Sequence, residues 1–360
     1  MTIIFAILSI IFAILLFSIL IFVHELGHFV AAKLSGVQVN EFSMFMGPAL
    51  WKKQIGETLY AIRCIPFGGY CAMEGEDEDT ENPRSFQKAA WWKRVIILVA
   101  GSAMNFLAGI LIYAFLFLPQ EQIVEPSIVE FTDCCTFNHA DGLQLGDVIL
   151  EIDGEKVYSN GNISTLLSFN PTGVHDLVIE RGGQVIEFDD FAMTHTHTDE
   201  DGSTYLHYGF AFGREVDASL GDRLGYVWNT TVDNIRMVRL SLQMLFTGKA
   251  GLQDMSGPVG IVSQMSEIAE QSETTKLALL NLLSICAFIA INLAVMNLLP
   301  IPALDGGRVV ALLITVAIEK VIGRKIDPKY EGYIHAAGMI ALLGLMALIL
   351  FKDIFVIVKG

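Results

Sequence analysis

The sequence predicts a polytopic α-helical membrane protein, with about four transmembrane helices, a membrane-associated β-hairpin and an α+β module between the spans. Two observations predict this fold class. Of the 360 residues, 53% are hydrophobic and only 17% are charged, whereas about a quarter of a soluble domain is charged. The hydrophobic residues also gather in runs of about twenty, the length that a helix needs to cross the hydrocarbon core of a bilayer.

The first apolar run, residues 3–23, contains no charge, no Pro and no Gly. No basic residue precedes it, and no small-residue cleavage pattern follows it, so we interpret it as a retained span rather than a signal peptide. Because the first base is Lys33, the positive-inside rule places the N-terminus outside and Lys33 in the cytoplasm.

Three further spans are predicted at about 92–118, 277–299 and 336–357. The aromatic and basic residues Trp91–Arg94 provide an interface anchor for the first of these. The apolar segment 308–322 has only fifteen residues, which favours a half-span or an interfacial helix. A fifth span at that point would move the C-terminus from the outside to the cytoplasm.

A β-hairpin is predicted at about 56–73, on the cytoplasmic side and close to the membrane. Tyr60–Cys64 and Gly68–Met73 have strand-like content. Pro and Gly in the intervening Pro66–Gly69 are typical of a turn between two strands.

Residues 119–275 should lie outside the cytoplasm, and they are strongly acidic. We count 25 acids and 8 bases between Glu121 and Lys276, in a chain whose net charge is −16. This balance argues against a nucleic-acid partner.

The acidic segment predicts an extracytoplasmic α+β PDZ-like domain. A strand at Ile128–Phe131, a short helix at Asn162–Ser168 and a hairpin around Arg181 fit such a module. Leu220–Phe246 then has the spacing of an amphipathic helix. We interpret His195 and His197 as loop residues, because they lie in a Thr- and Asp-rich stretch.

The predicted domains are an N-terminal membrane part (1–118), the PDZ-like domain (122–205), a helical region (206–275) and a C-terminal membrane part (276–360).

Residues 24–28 read His-Glu-Leu-Gly-His at the end of the first span. His24 and His28 are one helical turn apart, so both imidazoles leave the same face of the helix. H-E-x-x-H on a helix is typical of a zinc site in which the glutamate, here Glu25, is the general base. Ionisable groups at membrane depth are costly, and their default interpretation is a functional site.

A third metal ligand must come from elsewhere, because catalytic zinc keeps three protein ligands and a water. The metzincin extension is absent, since residues 31 and 34 are Ala and Leu. Asp305 is the only acid between Glu273 and Glu319, and it follows a Pro-x-Pro break. An isolated carboxylate there costs free energy unless a cation or another partner compensates it, and zinc would be such a partner. The alternative is a helix-capping Asp before Gly306 and Gly307.

Five motifs follow one another along the chain: His24–His28, Pro66–Tyr70, Gly101–Asn105, Gly257–Gly260 and Asn297–Arg308. In this order they resemble the motifs of bacterial intramembrane metalloproteases of the site-2 protease family, the RseP/RasP type of peptidase family M50 that carries an external PDZ domain. The resemblance covers nearly the whole chain. Ser102 departs from it, because many relatives have Pro there, and only one PDZ-like module fits this sequence.

The resemblance implies that His24, His28 and Asp305 hold one zinc ion and that Glu25 is the base. It implies that Asn297 orients the substrate or stabilises the oxyanion; an interhelical hydrogen bond is the alternative for this residue. It further implies cleavage of single-pass membrane proteins, such as anti-sigma factors or signal-peptide remnants, in the bacterial cytoplasmic (inner) membrane.

A helical substrate must unwind before its peptide bonds can be attacked. The predicted hairpin could bind the opened strand by β-augmentation, with Gly68, Gly69 and Tyr70 at the contact, or it could merely plug the cytoplasmic mouth of the site. The PDZ-like domain could capture peptide C-termini or exclude substrates with bulky external domains.

Two other functions are possible for a membrane protein of this kind, a non-catalytic scaffold and a zinc transporter. A non-catalytic scaffold would lack Glu25 or a ligand, and a zinc transporter would carry polar residues spread along its spans. The sequence favours neither.

Overall fold

The computed structural model describes most of the chain and divides it into two compact units. The helical unit comprises residues 1–113 and 237–360, and the inserted unit comprises residues 114–236. The described residues are 2–76, 78, 80–132, 142–170, 172–193, 195–198, 204–248, 251, 257–272, 274–324, 327 and 329–359.

Eight helices lie in the described part of the chain. Four of them are long and apolar enough to cross a membrane, with candidate spans at Ile14–Ser35, Trp91–Phe117, Thr275–Asn297 and Gly332–Asp353. These four candidate spans fit the predicted polytopic α-helical membrane protein. The helices are α1 (Thr2–Ser35), α2 (Trp91–Phe117), α3 (Ile163–Ser168), α4 (Leu220–Phe246), α5 (Pro258–Gln271), α6 (Thr275–Asn297), α7 (Asp305–Ile322) and α8 (Lys329–Lys359).

The sequence left undecided whether the apolar segment 308–322 crosses the membrane. This segment belongs to α7, which has 18 residues and is not among the candidate spans. At 1.5 Å per residue such a helix is about 27 Å long, marginally short for the hydrocarbon core. The left-handed residue Gly323 ends it, with φ 71°, as glycine commonly does at a helix C-terminus.

The β-hairpin is longer than the sequence predicts, and its strands pair differently. Strand β1 (Val39–Ile55) pairs with β2 (Thr58–Met73). The turn is at Gly56, whose φ of 60° is in the left-handed region that favours glycine. The predicted pairing of Tyr60–Cys64 with Gly68–Met73 was wrong. Pro66–Gly69 lies inside β2, where Gly68, with φ 76°, bends the strand. The chain reverses direction there, because residues 59–62 follow β1 in one direction and residues 69–73 return along it in the other, but both segments pair with β1 and not with each other.

This bend lets β2 pair with β1 on two sides. Glu41 of β1 is in register with both Leu59 and Ala72 of β2, and Leu59 is in register with Gln54 as well. The hairpin is therefore a small sheet whose outer segments are 49–55 and 69–73. Its inner residue Phe42 shares a buried core with α1, α2 and α7, formed by Ala31, Ala32, Val37, Val39, Phe42, Cys71, Met73, Phe86, Ile97, Leu98 and Leu312.

The inserted unit is built on a sheet with the order β10-β3-β4-β6-β7, to which β5 adds beside β4. Strand β6 alternates between buried and more exposed residues, as expected for a sheet with one face in a core. Helix α3 contributes Ile163, Leu166 and Leu167 to the buried residues. The strands are β3 (Gln122–Phe131), β4 (Val148–Ile152), β5 (Glu155–Lys156), β6 (Val174–Arg181), β7 (Gln184–Ala192), β8 (His195–Thr198), β9 (Thr204–His207) and β10 (Phe210–Asp217).

Two expectations about this unit differ from the structure. The sheet extends beyond residue 205, because β10 pairs along β3 from Phe210 to Asp217; the compact unit therefore continues past the predicted module. His195 and His197 are not loop residues: they lie in β8, which pairs with β9. Their polar composition concealed the strand, because cross-strand hydrogen bonding does not require apolar side chains. Helix α4 has the predicted bounds, Leu220–Phe246.

An ion pair with a buried carboxylate joins the residue before β4 to the last residue of β6 in the inserted unit. The carboxylate of Asp147, which is 1% exposed, accepts hydrogen bonds from Arg181 Nε at 2.7 Å and Arg181 Nη2 at 2.7 Å. It also accepts one from the backbone N–H of Gln144 at 2.7 Å. Loss of the carboxylate would leave a partly buried guanidinium without its counter-charge, which is destabilising.

We therefore expect Asp147→Ala to destabilise the protein by about 2 kcal/mol. The matched control is Asp189→Ala, because Asp189 is exposed on β7, and its loss should change stability by less than about 0.5 kcal/mol. Thermal unfolding of the purified variants measures both effects. Equal stability of the two variants would show that the Asp147–Arg181 pair contributes little.

Candidate metal centre

The structure brings three potential metal ligands together in the helical unit. His24 and His28 lie one turn apart on α1, and Asp305 is the first residue of α7. His24 Nε2 lies 3.1 Å from His28 Nε2. Asp305 Oδ2 lies 3.1 Å from His24 Nε2 and 3.4 Å from His28 Nε2. Residues from opposite ends of the chain thus meet in the tertiary structure.

A close-packed break before α7 positions Asp305. A Cβ added at Gly306 would lie 2.2 Å from the carbonyl oxygen of Leu298, and one at Gly307 would lie 2.2 Å from that of Ile301. Only glycine allows this approach. Leu304, and not Asp305, occupies the N-cap position of α7, so the geometry gives no support to the helix-capping alternative for Asp305.

The second nitrogen of one imidazole is held by the backbone. His28 Nδ1 lies 2.8 Å from the carbonyl oxygen of Ile97 on α2. Since a carbonyl can only accept, Nδ1 carries the proton and the lone pair of Nε2 faces Asp305. Such a partner on the non-ligating nitrogen is typical of metal-binding histidines. In the described part of the chain, His24 Nδ1 is buried without a hydrogen-bond partner.

The arrangement fits a zinc ion. The ligand atoms are separated by 3.1–3.4 Å, and tetrahedral zinc with ligands at 2.0–2.1 Å requires about 3.3 Å between them. Asp305 Oδ2 receives no hydrogen bond from the described residues. Lone pairs and a carboxylate that converge in this way repel one another unless a cation or a shared proton lies between them. These three residues form a possible metal-binding group.

Glu25 lies beside the outer strand of the hairpin sheet. A Cβ added at Gly69 would lie 3.5 Å from Glu25 Cγ and 3.4 Å from Ile21 on α1. The backbone of β2 therefore runs close to the predicted base. Neighbouring Tyr70 stacks with the Arg63 guanidinium, 5.5 Å from the ring centre. Gly68 packs against Met46 instead.

Asn297 is not brought to the cluster by any contact that the structure shows. It is the last residue of α6 and is half-buried. Its side chain makes no hydrogen bond to another described residue, so the interhelical hydrogen bond proposed as an alternative is absent among them.

Two features of the site were missed by the sequence reasoning. A Cβ added at Gly101 of α2 would lie 2.4 Å from His28 Nε2, and one at Gly27 would lie 2.3 Å from the carbonyl oxygen of Ala100. These glycines let α1 and α2 meet backbone to backbone at the imidazoles. The available signal was a glycine inside an apolar span, which usually has a packing or functional reason.

The second missed feature is an ion pair next to the site. Arg308, one helical turn after Asp305, pairs with Glu76 in the loop that follows β2. Gln87 donates to the backbone carbonyl of Glu76 at 2.9 Å. The start of α7 is thereby tied to the hairpin that carries Gly69. No sequence pattern links residues 232 positions apart.

Comparison with known proteins identifies the family. The model of peptidase family M50 matches residues 12–345, so this chain belongs to that family, the site-2 proteases. It is 34% identical to a Clostridium perfringens protein named as a candidate zinc metalloprotease, over 96% of this chain and 98% of the relative. It is 28% identical to the zinc metalloprotease RasP of Oceanobacillus iheyensis and 27% identical to the regulator of sigma-W protease RasP of Bacillus subtilis, each over 95% of this chain and 97% of the relative. The protein is a zinc metalloprotease of the membrane.

We expect Gly101→Ala to lower the zinc content of the purified protein at least tenfold, because the added methyl group would displace the imidazole of His28. The matched control is Gly344→Ala on α8, where no atom lies within 4 Å of an added Cβ. Zinc per chain, measured by atomic emission after dialysis, separates the two variants. Full zinc occupancy in Gly101→Ala would mean that the helices can separate at this point without loss of the site.

Proposed function

We propose that this protein cleaves single-pass membrane proteins within the bilayer, with His24, His28 and Asp305 as the ligands of one zinc ion and Glu25 as the general base. The convergence of His24 Nε2, His28 Nε2 and Asp305 Oδ2 within 3.4 Å, with both histidines inside the candidate span Ile14–Ser35, is the observation that supports this proposal. All four residue types match the chemistry of a zinc peptidase.

Zinc bound at this site supplies an activated water and a Lewis acid for peptide hydrolysis. Glu25 takes the proton of the attacking water and delivers it to the nitrogen of the leaving amine. The hydrogen bond from His28 to Ile97 holds the imidazole in its ligating tautomer. Asn297, at the end of α6, orients the substrate or donates to the developing oxyanion when the substrate is bound.

The outer segment 69–73 of the hairpin sheet is the proposed binding edge for the unwound substrate. It runs beside Glu25, and an added strand there would present its peptide bonds to the base. Backbone pairing is independent of side chains, which suits substrates that share little beyond a transmembrane segment. The ion pair of Arg308 with Glu76 would keep this edge aligned with Asp305.

The proposed location is the bacterial cytoplasmic membrane, with the N-terminus and the inserted unit outside and Lys33 inside. The distribution of basic residues supports this orientation. We propose that the inserted unit is a PDZ-like domain, which contacts the external part of substrates by capturing peptide C-termini or by excluding bulky domains. Anti-sigma factors and signal-peptide remnants are the proposed substrates; the name of the Bacillus subtilis relative links that protein to the regulation of sigma-W.

Glu25→Gln should retain zinc and lose at least a thousandfold of the cleavage rate, because the amide keeps the shape of the side chain and cannot take a proton. Asp305→Asn should instead bind zinc more weakly, since the amide oxygen carries no charge. Cleavage of a model single-pass substrate in vesicles and zinc per chain measure the two effects. Undiminished cleavage by Glu25→Gln would exclude Glu25 as the base.

The binding edge is tested by photo-crosslinking in the Glu25→Gln protein, which should hold its substrate uncleaved. A photoreactive amino acid at Tyr70 should form a covalent adduct with the transmembrane segment of the substrate. The same amino acid at Lys53, on the opposite outer segment 49–55, should form none. Equal yields at both positions would contradict a specific binding edge at residues 69–73.

A further inference from the structure

His335 is a buried histidine that the proposed catalytic chemistry does not use. It lies near the start of the candidate span Gly332–Asp353 on α8. In residues 332–353, all of which the structure describes, only His335 and Asp353 are buried. An ionisable side chain in a membrane span is costly, and its default interpretation is a functional role.

His335 binds the break before α7, the residues 300–304 that lead to Asp305. The backbone N–H of Ala303 donates to His335 Nδ1 at 3.1 Å. Because Nδ1 is the acceptor, the proton of the neutral ring is on Nε2. Gly338 lies one turn further along α8, and an added Cβ there would lie 2.5 Å from Pro302 Cβ. Helix α8 therefore contacts the break through two residues of one face.

The backbone donors of the break show why it needs an acceptor from another helix. Its two prolines have no N–H. The N–H groups of Ile301 and Leu304 donate to carbonyls two and three residues earlier in the chain. The N–H of Ala303 is the remaining donor, and His335 accepts it. A backbone donor that is shielded from water without a partner is unfavourable, so this bond stabilises the break.

The backbone conformation of Ala303 gives the bond a second role. Its φ is 81°, in the left-handed region that a residue with a Cβ rarely adopts. Such a conformation persists only where the surrounding contacts hold it. Ala303 is two residues before Asp305, so a change in its backbone angles would turn the start of α7 and move the carboxylate.

We propose that His335 is a positioning residue for the metal centre: it holds Ala303 in the left-handed conformation and thereby places Asp305 beside the two imidazoles. Asp305 Oδ2 lies 3.1 Å from His24 Nε2, and ligand distances at a metal site vary by only about 0.2 Å. A small movement of the break would therefore weaken zinc binding. This inference rests on the proposed role of Asp305 as a zinc ligand.

Zinc affinity of the full-length protein in detergent, measured by competition with a chelator, tests this role. His335→Ala should bind zinc about tenfold more weakly, as is typical when a residue that orients a metal ligand is lost. His335→Asn should bind zinc nearly as well as the wild type, because its side-chain oxygen can accept the same bond close to the position of Nδ1. Tyr333→Ala is the matched control, since Tyr333 is 70% exposed on α8, and it should bind as the wild type does. Wild-type affinity in His335→Ala, or equal losses in His335→Ala and His335→Asn, would overturn the proposal.

Asp305→Asn separates this inference from the proposed function. If His335 acts through Asp305, adding His335→Ala to Asp305→Asn should weaken zinc binding little further, because the two changes remove one interaction. Additive losses would overturn the positioning role and leave Asp305 as a ligand. Unchanged affinity in Asp305→Asn alone would refute the proposed ligand set, and the positioning role with it.

Hydrogen exchange of the zinc-free protein provides a readout that does not depend on the metal. The backbone amides of residues 303–305 should exchange about tenfold faster in His335→Ala than in the wild type, whereas His335→Asn and Tyr333→Ala should keep wild-type protection. Gly338→Ala, whose added Cβ would push α8 away from Pro302, should give the same faster exchange and replaces His335→Ala if that variant does not fold. Wild-type protection of these amides in His335→Ala and Gly338→Ala would overturn the proposal.

Discussion

The meeting of His24, His28 and Asp305 is the constraint on which the rest of the helical unit depends. Two imidazole nitrogens of the apolar helix α1 and a carboxylate oxygen converge within 3.4 Å, inside the candidate span Ile14–Ser35. In a medium of low dielectric, such groups are stable only when hydrogen bonds or a cation compensate them. A divalent cation would remove the electrostatic cost of bringing these groups together. This agrees with the relationship of the chain to zinc metalloproteases.

Glycine provides the close approach that this meeting requires. Gly27 and Gly101 let α1 and α2 touch at the imidazoles, and Gly306 and Gly307 fold the start of α7 onto the preceding break. Small residues at helix contacts are common in membranes, where lipid tails are as apolar as side chains and packing must supply the stabilisation. The backbone carbonyl of Ile97 can therefore act directly on His28, without an intervening side chain.

Where local patterns are strong, the sequence predicted the fold well. Length and hydropathy located four spans, because the bilayer thickness leaves few alternatives. Strand pairing was less reliable: the chain reverses at Pro66–Gly69 as predicted, yet the segments on either side of this bend pair with β1 and not with each other, and a second turn at Gly56 joins β1 to β2. His195 and His197 looked like loop residues for a similar reason. Only pairing with His207 and its neighbours on β9 makes that segment a strand.

The sequence by itself determined the chemistry: the helical pitch puts His24 and His28 on one face, and the isolation of Asp305 in an apolar region marks it as their partner. Tertiary structure decided what lies around them. The carbonyl of Ile97, the backbone of Gly101, the edge strand at Gly69 and the ion pair of Arg308 with Glu76 reach the site from distant segments. Such contacts depend on packing distances of a few ångströms, and no periodicity or spacing along a chain encodes them.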